Sequence, residues 1–314
     1  MYCMCVCYIP VNDSIMELLF AISCARRAGA SSITAVIPYF GYKHHRRGSA
    51  ISTINHSRFL TSASMDFAKM LQAMGVDRVI AVDLQRPGQG HEACFFDTTI
   101  PLETIITTSA FIRYFIENID LQRPIVVVSP NAECLKKSKR LEKGLRKHFG
   151  PNSVHLACYV AGQSTDSGPT DLNELEMLGG SEKSKFNGAD VIICDDIIDS
   201  GETLTVLSQR IKAAGANRVF YCASHGLFTN NAAEAIKNSC VEKVVVTNSL
   251  PLPKEMCDKV VQVSIGPMLS KIILSEHFSI NMGGLQKEKP DLWPLLDTVQ
   301  ETIEDPETET EEVE

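Results

Sequence analysis

The sequence lacks the features that mark several classes of protein. No apolar run approaches the ~18 residues that a membrane-spanning helix needs, so we expect no membrane insertion. The eleven cysteines are scattered, their number is odd, and no two form a Cys-x-x-Cys pair. A reduced, cytoplasmic location is therefore favoured over a secreted disulfide framework or a cysteine zinc site. The N-terminal stretch also lacks the basic segment of a secretory signal, so we expect none.

Basic charge is scarce as well. The net charge at pH 7 is -8, but residues 297–314 hold nine acids and no base, so the rest of the chain is near +1. This balance gives no broad basic surface, and we expect no nucleic-acid partner. Residues 286–314, with a single Trp and many acids, are predicted to form a disordered acidic tail.

A repeated pattern of helix, glycine and strand predicts the architecture. An amphipathic helix ends at Gly29, at Gly75 and again at Gly215, and a short apolar strand follows each time. Such repeats predict a parallel sheet with helices on its faces. With 314 residues the chain can hold two cores. We therefore predict an α/β fold of two similar domains, residues 1–107 and 108–285, with a helix over residues 111–119 after the boundary.

The most informative segment spans residues 191–204. Four apolar residues, 191–194, predict a buried parallel strand, and acids and a Ser/Gly/Thr turn follow before an apolar-periodic helix. Open α/β sheets bind ligands at the carboxyl ends of their strands, and a helix N-terminus can receive a phosphate. One acid would be explained by helix capping, but three acids suit the hydroxyls of a sugar phosphate. The candidate ribose-phosphate residues are Asp195, Asp196, Asp199, Ser200, Gly201, Glu202 and Thr203.

The spacing Asp-Asp-x-x-Asp-Ser-Gly-x-Thr at 195–203 resembles the phosphoribosyl-pyrophosphate loop of type I phosphoribosyltransferase folds. Segments 10–19, 33–42, 224–228 and 244–253 resemble ribose-phosphate pyrophosphokinase, in the order of that family. The resemblance implies two type I phosphoribosyltransferase-like domains with parallel sheets flanked by helices. It also implies transfer of diphosphate from ATP to the C1 hydroxyl of ribose 5-phosphate, with Mg²⁺, for nucleotide biosynthesis.

A second candidate site follows the predicted strand at residues 33–37. Its aromatic side chains offer faces for a purine and its cations offer charge for a triphosphate. The resemblance implies that this loop binds ATP through an Arg-Gln pair, where His44 and His45 stand here. A solvated basic turn is the alternative interpretation. The candidate ATP-binding residues are Phe40, Tyr42, Lys43, His44, His45, Arg46 and Arg47.

Candidate metal ligands come from the segment that follows the next strand, residues 83–97. The resemblance implies an Asp-Leu-His sequence here, whose His helps to place the Mg²⁺ on the ATP phosphates. In this chain Gln85 takes the place of that His, and His91 and Glu92, a few residues later, could substitute if the loop folds back. The predicted metal ligands are Asp83, His91 and Asp97.

Two departures from the family bear on catalysis. In the loop that the resemblance aligns with Ser-Pro-Asp-x-Gly-Gly, Asn131 replaces the Asp and Glu133 replaces a Gly. No Lys or Arg lies between Lys147 and Lys183, where the family carries a basic cluster on a mobile loop. A catalytically weak associated or regulatory subunit therefore stays open as an alternative, followed by a phosphoribosyltransferase.

The resemblance also bears on assembly. Family members carry several dozen residues before the segment that matches Pro10, so the first structural unit is expected to be incomplete here. A biological truncation and an incomplete gene model are both open. We expect a homo-oligomer, or a hetero-oligomer with a full-length paralogue that supplies the missing groups.

Overall fold

The computed structural model describes residues 2–4, 11–42, 63–84, 99–121, 124–161, 175–178 and 182–277. Several sequence-based predictions lie outside these described residues. They concern the cations and histidines of residues 43–47, Gln85 in the place of the family's His, the candidate ligands His91 and Asp97, and the acidic tail.

The first part of the chain forms a four-stranded parallel sheet in the order β1-β2-β3-β4. Its elements are β1 (Tyr2–Met4), α1 (Val11–Arg27), β2 (Thr34–Ile37), α2 (Ala63–Ala73), β3 (Arg78–Val82) and β4 (Leu102–Ile105). On α1, Ile15, Leu18 and Ile22 recur at helical spacing and are buried, so one stripe of this helix covers the sheet.

The second part forms a seven-stranded sheet in the order β11-β10-β9-β8-β5-β6-β7, parallel except for the antiparallel β6–β7 pair. Its elements are α3 (Thr108–Asn118), β5 (Ile125–Ser129), α4 (Leu135–Phe149), β6 (Val154–Ala161), β7 (Leu175–Leu178), α5 (Glu182–Phe186), β8 (Asp190–Ile198), α6 (Glu202–Ala213), β9 (Arg218–Gly226), α7 (Ala232–Asn238), β10 (Lys243–Thr247), β11 (Val260–Val263) and α8 (Gly266–His277). The predicted α/β class with parallel sheets flanked by helices is confirmed. The proposed domain boundary at residue 107 falls between β4 and α3.

The three glycines that end helices in the predicted repeat adopt the backbone conformation expected of them. Gly29, Gly75 and Gly215 have φ angles of 85°, 88° and 100°, in the left-handed region that L side chains avoid. Each follows an amphipathic helix and precedes a buried strand. The predicted helix over residues 111–119 is α3, which begins three residues earlier.

Strand β8 is buried on both faces, as its apolar run predicted. Val191 and Ile193 belong to one core cluster, whereas Ile192 and Cys194 belong to the cluster on the opposite face. The predicted end of this strand was wrong, because β8 continues to Ile198. Pairing with β5 stops at Ile193, but pairing with β9 continues and keeps the later residues extended.

The two sheets are joined by the last described helix. Met268 and Leu269 of α8 share a core cluster with Val36 and Ile80 of the first sheet. Residues from opposite ends of the chain therefore share one core. Within the described parts of the chain, no helix combines the length and apolarity needed to cross a membrane.

Candidate functional site

The strand order of the larger sheet reverses between β5 and β8. The chain leaves β5 toward β6 on one side and leaves β8 toward β9 on the other. Loops that diverge in this way open a crevice at the carboxyl ends of the two strands. A cavity of about 490 Å³ lies there, lined by Val11, Tyr39, Tyr42, Asn131, Glu133, residues 195–204, Tyr221 and Leu227. All seven candidate ribose-phosphate residues therefore line one cavity.

The turn before α6 provides the end of the cavity that suits a phosphate. Gly201 has a φ angle of 81°, which turns the chain directly into α6 at Glu202. The amide and hydroxyl of Thr205 both donate to the Gly201 carbonyl, at 3.0 and 2.9 Å, and close the first turn. The first N–H groups of a helix have no intrahelical acceptor, so this end is suited to an anion.

Asp199 anchors the other side of this turn. Its carboxylate accepts a hydrogen bond from the Thr229 hydroxyl, and its carbonyl accepts from the Thr229 amide at 3.1 Å. Thr229 follows β9, so the turn after β8 is tied to the neighbouring strand. The Asp199 side chain is exposed to the cavity.

Asp195 is the most buried acid of the cavity, with 5% of its surface exposed. It accepts hydrogen bonds from the Asp196 amide at 2.8 Å, from the Tyr221 hydroxyl, and from the Cys134 thiol at 3.3 Å. Burial, followed by the nearby Asp196 carboxylate, raises the pKa of Asp195 to about 7. At neutral pH the two acids together therefore carry less than two full negative charges.

Cys134 lies in the loop between β5 and α4. Its amide donates to the side-chain carbonyl of Asn131 at 2.9 Å, and its Sγ lies 4.0 Å from Asp196 Oδ1. Burial, followed by the carboxylates of Asp195 and Asp196, raises the pKa of the Cys134 thiol well above its ordinary value. The thiol is therefore protonated at neutral pH in this state. Asn131 therefore uses its side-chain carbonyl oxygen to fix this loop.

Sequence reasoning missed both Cys134 and Tyr221 as neighbours of Asp195. Each comes from a different segment, the loop after β5 and the middle of β9. Tyr221 pairs with Ile193 across the sheet, two residues before Asp195. Only the strand order, with β5 and β9 on either side of β8, reveals that these side chains meet.

The candidate ATP residues that the structure describes have different surroundings. Phe40 is fully buried, with its ring centroid 4.9 Å from that of Phe67, so its ring has no exposed face. Tyr42 is half-buried, lines the cavity and donates its hydroxyl to Asn12 Oδ1. The structure thus brings Tyr42 to the ribose-phosphate residues and places Phe40 in the core.

The candidate metal ligand Asp83 lies at a buried junction between the two sheets. It follows β3, and its Oδ2 accepts from the Thr107 hydroxyl at 2.6 Å and from the Ser224 hydroxyl. Lys137 of α4 donates to the same oxygen at 3.0 Å and also to Ser224. Because its carboxylate is engaged in an ion pair, a role for Asp83 as a metal ligand stays a prediction.

Lys137 is a cation that sequence reasoning did not connect to any acid. Its side chain is 11% exposed. Burial is the largest single influence and lowers the pKa of Lys137, but the Asp83 carboxylate together with Cys194 and Cys222 raises it above its ordinary value. Among the described residues that line the cavity there is no Lys or Arg. Lys137 therefore neutralises Asp83 at the junction of the two sheets and does not line the cavity.

One group of side chains could hold a metal ion. Sγ of Cys134 and a carboxylate oxygen each of Asp195 and Asp196 all lie within 4.8 Å of one another. Carboxylates suit Mg²⁺, which takes oxygen ligands in near-octahedral geometry, but a sulfur donor does not. The set as a whole does not fit Mg²⁺.

Comparisons with known proteins agree with the fold and show the family of the chain. Two family profiles match the chain, the N-terminal domain of ribose phosphate pyrophosphokinase over residues 1–75 and the phosphoribosyl synthetase-associated domain over residues 184–287. Ribose-phosphate pyrophosphokinase of Vibrio cholerae is 35% identical over 267 residues, which cover 84% of this chain and 76% of that protein. The protein of the same description from Bacillus subtilis is 33% identical over 281 residues, 87% of this chain and 79% of its own.

The likeness extends to a solved structure. The crystal structure of phosphoribosylpyrophosphate synthetase from Mycobacterium smegmatis matches with a TM-score of 0.72 and 23% sequence identity. The match covers 88% of this chain and 82% of that chain. At this level of identity the likeness concerns the fold.

Proposed function

We propose that this chain, which belongs to the ribose-phosphate pyrophosphokinase family, transfers diphosphate from ATP to the C1 hydroxyl of ribose 5-phosphate. The observation that carries the proposal is the cavity between β5 and β8, on which all seven residues of the ribose-phosphate loop converge. The product is 5-phosphoribosyl 1-diphosphate, an activated sugar for nucleotide biosynthesis.

The sugar phosphate would bind along residues 195–203. Its phosphate would lie at the N-terminus of α6, where amides, the Ser200 and Thr203 hydroxyls and the helix dipole favour an anion. The carboxylates of Asp196 and Asp199 would accept hydrogen bonds from the ribose hydroxyls. Asp195 would keep the site in shape, because its carboxylate is hydrogen-bonded to two other segments. These are the loop after β5, through Cys134, and strand β9, through Tyr221.

The nucleotide would bind at the opposite wall of the cavity. Tyr42 lies there and offers an aromatic face. The cations that follow it, Lys43, Arg46 and Arg47, are the nearest in sequence that could contact a triphosphate. They lie outside the described residues, so their contact with ATP is a proposal from sequence.

Diphosphoryl transfer develops negative charge that must be stabilised in place. The residues that line the cavity would bind and orient the sugar. The negative charge that develops during transfer would be stabilised by other groups, because no Lys or Arg is among the described lining residues. Mg²⁺ would supply part of that stabilisation. Of its predicted ligands, Asp83 is paired with Lys137, whereas His91 and Asp97 lie outside the described residues.

The decisive experiment measures AMP formation from Mg-ATP by the purified full chain, with and without ribose 5-phosphate. We expect AMP only when the sugar phosphate is present. Asp196→Ala should weaken ribose 5-phosphate binding at least about 10-fold by calorimetry, because a charged hydrogen-bond acceptor is lost, and should leave ATP binding little changed. Asp258→Asn, at an exposed acid far along the chain, is the matched control.

Each outcome bears on a different part of the proposal. Unchanged sugar affinity in Asp196→Ala would show that the ribose-phosphate assignment is wrong. Normal sugar binding without AMP formation would overturn catalysis by the isolated chain and favour a subunit that acts with a partner.

A further inference from the structure

We propose that Cys134, Asp195 and Asp196 bind a thiophilic divalent cation of the Zn²⁺ or Cd²⁺ class, and that this cation excludes ribose 5-phosphate. The second half of the proposal rests on the proposed function, whereas the metal site itself does not. The starting point is the mismatch between this donor set and Mg²⁺.

The distances suit a small tetrahedral cation. With Zn–S near 2.3 Å and Zn–O near 2.1 Å, adjacent ligand atoms in a tetrahedral site lie about 3.5 Å apart. Sγ of Cys134 lies 3.3 Å from Asp195 Oδ1 and 4.0 Å from Asp196 Oδ1, on either side of that value. Both distances are within about 0.5 Å of the tetrahedral value, and all three ligand atoms lie within 4.8 Å of one another.

The chemistry of the donors selects among metals. A thiolate is a soft ligand that favours Zn²⁺ and its heavier analogue, whereas Mg²⁺ retains water and prefers an all-oxygen shell. When the cation binds, the Cys134 thiol releases its proton to solvent and a sulfur–metal bond takes its place. The bound cation then offsets the repulsion between the adjacent carboxylates of Asp195 and Asp196.

Neighbouring groups keep the ligands in place before any metal arrives. The Tyr221 hydroxyl and the Asp196 amide both donate to Asp195, and Asn131 accepts from the amide of Cys134. Contacts of this kind orient metal ligands in proteins and contribute to affinity. A cation held by three protein ligands keeps a fourth position open.

The cation and the sugar phosphate would use the same side of the carboxylates. Cys134 is buried behind the cavity wall, whereas Asp195 and Asp196 line the cavity, so a cation enters from the cavity side. The oxygens that would accept ribose hydroxyls would then be bonded to metal. The sugar phosphate and the thiophilic cation therefore compete for Asp196.

Binding can be measured without any enzymatic assay. The full chain, reduced and freed of metal with a chelator, is titrated with Cd²⁺ by calorimetry and by the ultraviolet charge-transfer absorbance of the Cd–thiolate bond. Cys134→Ser should lose the absorbance of one equivalent and bind it at least about 100-fold more weakly, and Asp196→Asn should also bind more weakly. Cys240→Ser, which changes an exposed thiol, should keep this equivalent. Retention of the band and affinity in Cys134→Ser overturns the proposal.

A competition titration separates this proposal from the function. Ribose 5-phosphate should raise the apparent dissociation constant of Cd²⁺ in the wild type, and Mg²⁺ at equal concentration should not. If the sugar binds the metal-free protein but leaves the Cd²⁺ affinity unchanged, the proposed exclusion is wrong. If the sugar does not bind the metal-free protein at all, the proposed function is wrong and the metal site still stands on the Cys134→Ser result.

Discussion

Two buried carboxylates, Asp195 within β8 and Asp83 after β3, lie in opposite electrostatic surroundings. Asp83 forms an ion pair with Lys137 at 3.0 Å and accepts from two hydroxyls. Asp195 accepts from an amide, a phenol and a thiol, and its neighbour is a second acid. Both side chains are nearly inaccessible to solvent, so the difference lies in their partners.

The difference is whether the protein itself supplies a cation to the buried acid. A buried charge is tolerated only when a partner of opposite sign and hydrogen bonds compensate for lost water. Asp83 has that compensation within the protein, at the junction of the two sheets. Asp195 does not have a cation among its hydrogen-bond donors, and the protein keeps it partly protonated instead. A positively charged ligand can therefore gain more at Asp195 than at Asp83.

The largest expected effect comes from removing the cation at the junction. Lys137→Met should lower the free energy of unfolding by about 3 to 5 kcal/mol, because it leaves the Asp83 carboxylate buried and uncompensated. Urea denaturation monitored by circular dichroism measures this change. The double variant Lys137→Met/Asp83→Asn should recover part of the loss, since the stranded charge is gone. A loss below about 1 kcal/mol in the single variant would mean that Asp83 and Lys137 are not a structural pair.

The sequence could predict the local features of this molecule but not the partners of the two buried acids. Local patterns predicted the left-handed glycines such as Gly29, the helix that starts at the ribose-phosphate turn, and the buried run of β8. These features depend on residues a few positions apart. The partners of the two acids come from distant segments: Lys137 is 54 positions from Asp83, and Cys134 is 61 from Asp195. No local periodicity connects them, because strand order and helix packing decide which side chains meet.

The next effect concerns the pH dependence of stability at Asp195. Its folded-state pKa is raised from 3.8 to about 7, so the folded protein retains a proton that the unfolded chain releases. Wild-type stability should therefore fall as pH rises from about 4 to about 7, with the full penalty present above pH 7. Asp195→Asn carries no such charge. Its stability relative to wild type should rise by about 3 kcal/mol over that interval in metal-free buffer.

The matched control for this titration is Asp258→Asn. That acid is exposed, so the variant controls for removing one carboxylate elsewhere in the chain. Thermal unfolding in chelator-treated buffer at several pH values gives both curves. A flat difference for Asp195→Asn would mean that Asp195 is fully charged in the folded protein at neutral pH, and that the contrast with Asp83 is smaller than the structure indicates.

The smallest expected effect tests whether the neutral hydroxyl donors or the Lys137 ammonium compensate the buried charge of Asp83. Thr107 is fully buried, donates to Asp83 at 2.6 Å and lies 2.7 Å from the Ser224 hydroxyl. Thr107→Val keeps the shape and removes one donor, so unfolding should become easier by about 1 to 1.5 kcal/mol while Lys137 still neutralises the acid. Thr107→Ser, which retains the hydroxyl, should lose less of the hydrogen-bond contribution. Urea denaturation of both variants beside Lys137→Met gives the ranking. If Thr107→Val costs as much as Lys137→Met, the hydroxyls compensate Asp83 as fully as the ammonium does, and the presence or absence of a cation no longer distinguishes Asp83 from Asp195.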